Sequence, residues 1–221
     1  MSDLAQPLMA VFGGTFDPFH GGHARLCELV LSYPEVAQLR LVPCQVPVLK
    51  QAAQATSEQR LAMLQRWADS GPGRDRLIID SQELERSGPS YTLDTLRQLR
   101  RQFPHWQIVF VLGADAFAGM DHWHGMDQLI RETHFWVFGR GSQTVVAPKL
   151  PITQVDSLAQ LGLQRSGLWV EGPSSGRDWA SRDLRDDDRQ WQAALPEPVQ
   201  EYIQQHGLYR HGHKSLRDSQ L

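Results

Sequence analysis

Two histidines lie three residues apart in a glycine-rich stretch that follows the first apolar run of the chain. Residues 13–23 read GGTFDPFHGGH, and the histidines are His20 and His23. In a first helical turn, residues three apart project from one face, so both imidazoles would point to one place. Imidazole N–H groups can donate to phosphate oxygens as negative charge moves to a leaving group. A bare H-x-x-H pair carries little weight, but its position between a predicted strand and helix favours phosphate chemistry.

Glycines in this stretch would let the backbone approach a ligand closely. Gly13 and Gly14 precede the loop, and Gly21 and Gly22 lie where a helix would begin and point its N–H groups at an anion. The chain contains neither the P-loop pattern G-x-x-x-x-G-K-[ST] nor the dinucleotide pattern G-x-G-x-x-G. The phosphate site predicted here is therefore of a different kind.

An alternation of apolar runs and helical patterns would position this loop. The runs that predict buried strands are 8–12, 39–43, 77–79, 108–112 and 135–138. The segments between them carry apolar residues at helical spacing. This β-α-β-α order predicts a doubly wound, mostly parallel sheet with helices on both faces, a Rossmann-like α/β fold that binds ligands at the carboxyl ends of its strands.

Two of the predicted helices have recognisable starts. Ser57 is the expected N-cap of a helix that turns Leu61, Leu64 and Ala68 inward. Thr92 is the expected N-cap of the helix after it. Hydroxyl side chains at these positions can accept a hydrogen bond from the first turn, which is why they indicate a helix start.

The last third of the chain is harder to interpret. Residues 139–168 show no clear pattern, and Pro198 fits the first turn of a short C-terminal helical segment. We expect residues 1–209 to form a single domain and residues 210–221 to be a flexible tail.

Composition and charge exclude several classes of protein. The chain has 221 residues, 41% of them hydrophobic, and a formal net charge of -3, which gives no basic field for nucleic acid. No apolar run is long enough to cross a bilayer, and no secretory leader pattern occurs, so a cytoplasmic location without membrane partners is expected. The cysteines form no C-x-x-C pattern, and the histidine clusters lack suitable partners, so no metal site is expected.

Several motifs, in order, resemble one enzyme family. The pattern G-x-F-D-P-x-H-x-G-H at residues 14–23 resembles the signature of the HxGH nucleotidylyltransferase superfamily. SYTLDTL at residues 90–96, GAD at 113–115 with Trp123 beyond it, and YIQQHGLY at 202–209 resemble bacterial nicotinate-nucleotide adenylyltransferases. Together these motifs extend over most of the chain.

The resemblance implies a reaction and a set of contacts. ATP and nicotinate mononucleotide, with Mg²⁺, would give nicotinate adenine dinucleotide and pyrophosphate, a late step of NAD biosynthesis. The residues implied for ATP are Gly14, Thr15, Phe16, His20, Gly22, His23, Gly113, Asp115, Arg140, Ser181 and Arg185. Those implied for the mononucleotide are Thr92, Asp115, Trp123 and His124. Those implied for catalysis are His20, His23, Lys50 and Arg185.

The chain departs from the family pattern at Leu49, Ala180, Arg182 and Gly141. Leu49 replaces the histidine of a Pro-Pro-His-Lys-like loop, although the lysine after it is kept. Residues 179–185, WASRDLR, match the family's ISSTxIR in its second serine and its arginine. Gly141 replaces the proline that usually follows an arginine.

Three alternatives stay open. One, which the departures around Lys50 and Ser181 motivate, is a nucleotide-binding regulatory module with weak or no turnover. Another is an adenylyltransferase for a different phosphorylated acceptor, such as nicotinamide mononucleotide. A third is a metal-dependent hydrolase that uses the two histidines.

Overall fold

A seven-stranded parallel sheet forms the centre of the computed structural model, which describes residues 6–46, 52–71, 73, 75–141, 144–176, 179–186 and 188–209. The strands are β1 (Leu8–Gly14), β2 (Val36–Pro43), β3 (Leu77–Ile79), β4 (Gln107–Gly113), β5 (His134–Phe138), β6 (Thr153–Val155) and β7 (Leu168–Gly172). Their order across the sheet is β3-β2-β1-β4-β5-β7-β6, and each neighbouring pair runs parallel.

Helices cover both faces of this sheet. They are α1 (Gly21–Leu31), α2 (Ser57–Ser70), α3 (Thr92–Gln102), α4 (Ala114–Ala118), α5 (Met126–Leu129), α6 (Ser181–Asp186), α7 (Trp191–Ala194) and α8 (Glu197–His206). Apolar residues of α1, α2 and α8 belong to the core on one face, and those of α3, α4 and α5 to the core on the other. The predicted doubly wound α/β fold is therefore confirmed.

The strand order reverses at β1, which lies between β2 and β4. The chain passes from β1 to β2 and β3 on one side, then crosses to β4 on the other. In such sheets the loops that leave the two central strands part in opposite directions and open a crevice at the carboxyl ends. Gly14 ends β1 and Gly113 ends β4, so both glycines lie at this crevice.

Both expected N-caps are wrong by one residue. Thr56 caps α2, where its hydroxyl accepts a hydrogen bond from the Gln59 N–H (3.3 Å) and Gln59 Oε1 accepts one from the Thr56 N–H (2.9 Å). Tyr91 occupies the N-cap of α3 without a side-chain hydrogen bond. Ser57 and Thr92 are the first residues of their helices.

The inward face of α2 is also rotated relative to the prediction. Leu61 and Ala68 are only partly buried, whereas the residues that α2 buries are Arg60, Met63, Leu64 and Trp67. Arg60 takes an inward position because its Nη1 donates to the Thr15 carbonyl oxygen at 2.8 Å. Apolar spacing alone could not anticipate a buried guanidinium that supports a loop of another element.

β6 lies in the part of the chain that showed no clear pattern, and β7 begins at the last residue of that part, Leu168. β6 has three residues with little burial, and β7 extends the sheet beyond β5. Pro198 lies in the first turn of α8, as predicted. The expected tail at residues 210–221 lies outside the described residues. Within the described ranges, no helix has the length and apolar character needed to cross a bilayer.

Candidate active site

A cleft of about 1190 Å³ opens at the carboxyl ends of β1 and β4. It is lined by all the expected site residues that the structure describes: Gly14, Thr15, Phe16, His20, Gly22, His23, Thr92, Gly113, Asp115, Trp123, His124, Arg140, Ser181 and Arg185. Lys50, the remaining expected residue, lies outside the described residues, as does Leu49. The fold thus brings together residues that are spread over most of the sequence.

The two histidines lie at the start of α1, with His20 as its N-cap and His23 in its first turn. The Gly22 N–H donates to His20 Nδ1, and the His20 N–H donates to His23 Nδ1, both at 3.2 Å. Because each Nδ1 accepts a hydrogen bond, the neutral ring carries its proton on Nε2. This is the tautomer that can donate to a phosphate oxygen.

Aromatic side chains hold the His23 ring in place. The Phe19 ring stacks on it at a centroid distance of 5.4 Å, and the Phe16 ring meets it edge-on at 5.1 Å. Phe16 has φ 52, and a Cβ atom at Gly14 would lie 2.8 Å from its ring. Phe16 therefore lines the cleft mainly as a buried support for His23, and Gly14 provides the space that this ring occupies.

Helix α6 reaches the same loop from the far end of the chain. Ser181 Oγ donates to the Pro18 carbonyl oxygen at 3.1 Å, and Arg185 Nη1 donates to the Asp17 carbonyl oxygen at 2.6 Å. Arg185 Nη1 also lies 3.5 Å from the Asp17 carboxylate. Ser181 and Arg185, the two residues that this chain retains from the family pattern, are thus both held against the loop that carries the two histidines. Arg182 also lines the cleft. Its side chain is largely exposed, and its Nε lies 3.7 Å from Asp183 Oδ1.

The packing of residue 179 explains why a glycine follows His20. A Cβ atom at Gly21 would lie 2.6 Å from the Trp179 ring and 3.1 Å from the Ala194 carbonyl oxygen. Trp179 itself lines the cleft. Gly21 therefore permits the C-terminal region to pack directly on the first turn of α1.

A second cation and its partner lie where β4 and β5 end. Asp115 is in the first turn of α4, and its carboxylate lies 3.5 Å from Arg140 Nη1. Gly141 follows with φ 54. A proline cannot adopt this φ, so the family's proline is incompatible with the turn that this chain makes here.

The predicted mononucleotide end is lined by aromatic and polar side chains. Trp123 meets Phe110 edge-on at a centroid distance of 5.9 Å and is partly buried, while the exposed His124 ring stacks on Tyr91 at 4.1 Å. Thr92 begins α3 beside them. The partly buried indole leaves part of its surface accessible in the cleft, where a planar pyridine ring could stack on it.

One acidic group in the same wall was missed by the sequence argument. Glu83 lines the cleft and accepts a hydrogen bond from the Thr95 hydroxyl, and burial raises the pKa of its carboxyl group. Other missed residues support the site from behind: Arg60 holds Thr15, and Asp17 holds Arg185. Asp17 is part of the quoted motif, so its presence in the loop was predictable, but its hydrogen-bond partners were not.

The described residues contain no group of three or more His, Cys, Asp or Glu side chains that could hold a metal ion.

Known proteins that are similar to this chain indicate its family. Residues 11–163 match the family described as cytidylyltransferase-like. A probable nicotinate-nucleotide adenylyltransferase of Marinomonas sp. (strain MWYL1) is 34% identical over 215 residues, covering 91% of this chain and 94% of that protein. One of Geobacillus kaustophilus (strain HTA426) is 36% identical over 202 residues, covering 91% of this chain and 85% of that protein.

A solved structure supports the fold independently. The nicotinic acid mononucleotide adenylyltransferase of Plasmodium falciparum, complexed with NaAD, superposes with a TM-score of 0.73 over 92% of this chain and 98% of that one, at 16% identity. The resemblance inferred from the motifs is thus confirmed by whole-chain similarity. The chain belongs to the cytidylyltransferase-like family and, within it, to the nicotinate-nucleotide adenylyltransferases.

Proposed function

We propose that this chain transfers the adenylyl group of ATP to the phosphate of nicotinate mononucleotide, in the cytoplasm and as a step of NAD biosynthesis. One observation carries the proposal: His20 and His23 lie at the N-terminus of α1, in one cleft with Arg140, Arg185 and Trp123. The helix N-terminus and the cations suit a triphosphate, and the indole suits a pyridine ring. The relatives' names describe adenylyl transfer to a nicotinate nucleotide.

The proposed step needs neither an enzyme nucleophile nor a strong base. A phosphate oxygen of the mononucleotide forms a bond to the α-phosphorus of ATP, and the bond from that phosphorus to the bridging oxygen breaks. The electron pair leaves with pyrophosphate. Because the attacking group is already an anion, alignment and charge stabilisation can supply the rate enhancement.

Each residue has a role that follows from its position. The Nε2–H groups of His20 and His23 donate to the phosphates as charge develops, and their backbone hydrogen bonds keep the donating tautomer. Arg185 and the N-terminus of α6 bind the departing phosphates. Arg140 contacts a phosphate or ribose, while Thr92, Trp123 and the backbone of His124 hold the nicotinate end.

Mg²⁺ is proposed to enter with ATP. The absence of a three-ligand cluster among the described residues fits a metal that phosphate oxygens and water hold, with at most one or two carboxylates. Asp115, which lines the cleft, would supply one such carboxylate. When bound, Mg²⁺ would neutralise charge on the phosphates.

The test is product identification. The protein is incubated with ATP and Mg²⁺ and with either nicotinate or nicotinamide mononucleotide, and the products are identified by mass. Nicotinate adenine dinucleotide and pyrophosphate are expected with the first acceptor. Faster turnover of the amide acceptor would reassign the substrate. ATP binding without any dinucleotide would identify a regulatory module instead.

A further inference from the structure

The C-terminal motif at residues 202–209 has no part in the function described so far, yet its last residue reaches the phosphate loop. The Tyr209 hydroxyl donates to Asp17 Oδ1 at 2.6 Å, across a separation of 192 residues. Tyr209 is buried, and its backbone has φ 55. Residues other than glycine seldom adopt this φ, and they do so where the surrounding structure enforces it. The contact is therefore a specific docking of the C-terminal segment.

Asp17 gathers donors from three distant parts of the chain. Its carboxylate accepts hydrogen bonds from the Gln54 N–H (2.8 Å) and the Ala55 N–H (3.1 Å), in addition to the Tyr209 hydroxyl. The Nη1 atom of Arg185 lies 3.5 Å from Asp17 Oδ2, the other oxygen of this carboxylate. Only 1% of Asp17 is exposed, so these donors take the place of water around the buried charge.

The same residue fixes Arg185 through its backbone. Arg185 Nη1 donates to the Asp17 carbonyl oxygen at 2.6 Å, while its Nε is buried without a partner among the described residues. Arg185 lines the cleft. Its orientation therefore depends on where Asp17 lies, and Asp17 in turn is held by Tyr209.

We propose that Tyr209 is a positioning residue for ATP: through Asp17, its hydroxyl fixes the orientation of Arg185 toward the triphosphate. This proposal rests on the function proposed above. Burial and the adjacent Asp17 carboxylate raise the pKa of Tyr209 above its ordinary range, so the phenol stays protonated and remains a donor. A hydrogen bond to a charged group changes an equilibrium constant by a factor of about ten or more. An effect of this size can be measured in ligand binding.

The test compares two Tyr→Phe variants of the same motif. Tyr209→Phe removes the hydroxyl that Asp17 accepts from. Tyr202→Phe is the control, because Tyr202 is also buried, packs against His206 and Arg66 through its ring, and makes no hydroxyl hydrogen bond among the described residues. ATP and nicotinate mononucleotide binding are measured by calorimetry, together with the melting temperature.

Tyr209→Phe should raise the Kd for ATP by about tenfold and leave the Kd for the mononucleotide within about twofold. Tyr202→Phe should change neither. In an Arg185→Ala background, Tyr209→Phe should have no further effect on ATP binding, because the two residues act through one route. Compared with Arg185→Ala, Arg185→Lys should restore part of the ATP affinity and part of its dependence on Tyr209.

Two results would overturn the proposal. The first is a Tyr209→Phe variant that melts earlier but binds ATP as tightly as Tyr202→Phe, which would make the contact purely structural. The second is an undiminished effect of Tyr209→Phe in the Arg185→Ala background. The binding measurements do not require turnover. If the wild-type protein binds ATP but makes no dinucleotide, the proposed function is disproved, and the binding data for the variants still decide the role of Tyr209.

Discussion

His20 and His23 stack with their ring centroids 3.7 Å apart, and the backbone N–H of His20 donates to Nδ1 of His23. The pair therefore forms part of the helix start as well as part of the cleft. The Gly22 N–H donates to His20 in the same way, so the loop fixes both rings before any ligand binds. Such preorganised donors need no rearrangement at the moment of reaction.

The first prediction separates these two roles of His20. Asparagine is a good N-cap, and its side-chain oxygen can replace Nδ1 as the acceptor from Gly22, but it cannot reach the position of Nε2. His20→Asn should therefore lower kcat by about 10²–10³ while the melting temperature stays nearly unchanged. Steady-state kinetics and a thermal melt would decide. A near-normal kcat would remove the phosphate role assigned to this histidine.

The second prediction concerns Trp123. Trp123→Ala removes the proposed stacking surface, so the Kd for nicotinate mononucleotide should rise by about tenfold and the Kd for ATP by much less. Trp123→Phe is the matched control and should recover most of the affinity. Calorimetric titrations with each ligand measure the difference. Equal losses for both ligands would contradict the assignment.

The third prediction concerns the pair of Arg140 and Asp115. Their side chains are 34% and 58% exposed, and such ion pairs contribute little to folding stability. Arg140→Ala should leave the melting temperature within a few degrees of wild type. In steady-state kinetics it should raise the KM for ATP severalfold, because the guanidinium is proposed to contact the nucleotide. The exposed Arg182 provides a control, since Arg182→Ala also removes one positive charge at the rim of the cleft.

The fourth prediction is a pH dependence of stability from His134. This residue is 0% exposed, and burial, with Arg100 nearby, lowers its pKa from 6.5 to about 4. Between these values the unfolded chain binds the proton and the folded chain does not, so stability is complete above pH 6.5 and falls as the pH decreases toward 4. The contribution lost between pH 7 and pH 5 is about 2 kcal/mol.

The matched variant for this measurement is His134→Asn. His134 Nδ1 accepts a hydrogen bond from the Leu168 N–H at 3.3 Å, and an asparagine oxygen can accept the same bond without titrating. Urea unfolding at both pH values should show a smaller loss of unfolding free energy in the variant. An equal loss in both proteins would assign the acid sensitivity to other groups.

The sequence predicted the parts of this molecule that depend on local patterns. Continuous apolar runs predicted β1 to β5, because strands that are buried on both faces consist largely of apolar residues. The order of the motifs predicted which residues line the cleft. β6 was missed because a three-residue strand with exposed side chains has no distinctive pattern. The cap of α2 was misplaced by one residue because Thr56 and Ser57 are both good capping residues. The cap of α3 was misplaced because Tyr91 makes no side-chain cap hydrogen bond and so has no capping signature.

Interactions between residues that are far apart in the sequence could not be predicted from local patterns. The partners of Asp17 are 37 to 192 residues away, and a single sequence holds no record of such pairings. Arg60 shows the same limit, because a charged residue on an otherwise apolar helix face signals nothing about the carbonyl oxygen that it binds. The sequence thus predicted which residues line the cleft more fully than which contacts hold them there.

The contact between Gly21 and the Trp179 ring links two positions that are far apart in the gene. Any side chain at position 21 would need a smaller residue than tryptophan at position 179. In related proteins the two positions should therefore change together, with bulk at one matched by its loss at the other. Grafting into this chain a phosphate loop that carries a side chain at position 21 would then require a smaller residue at position 179 as well.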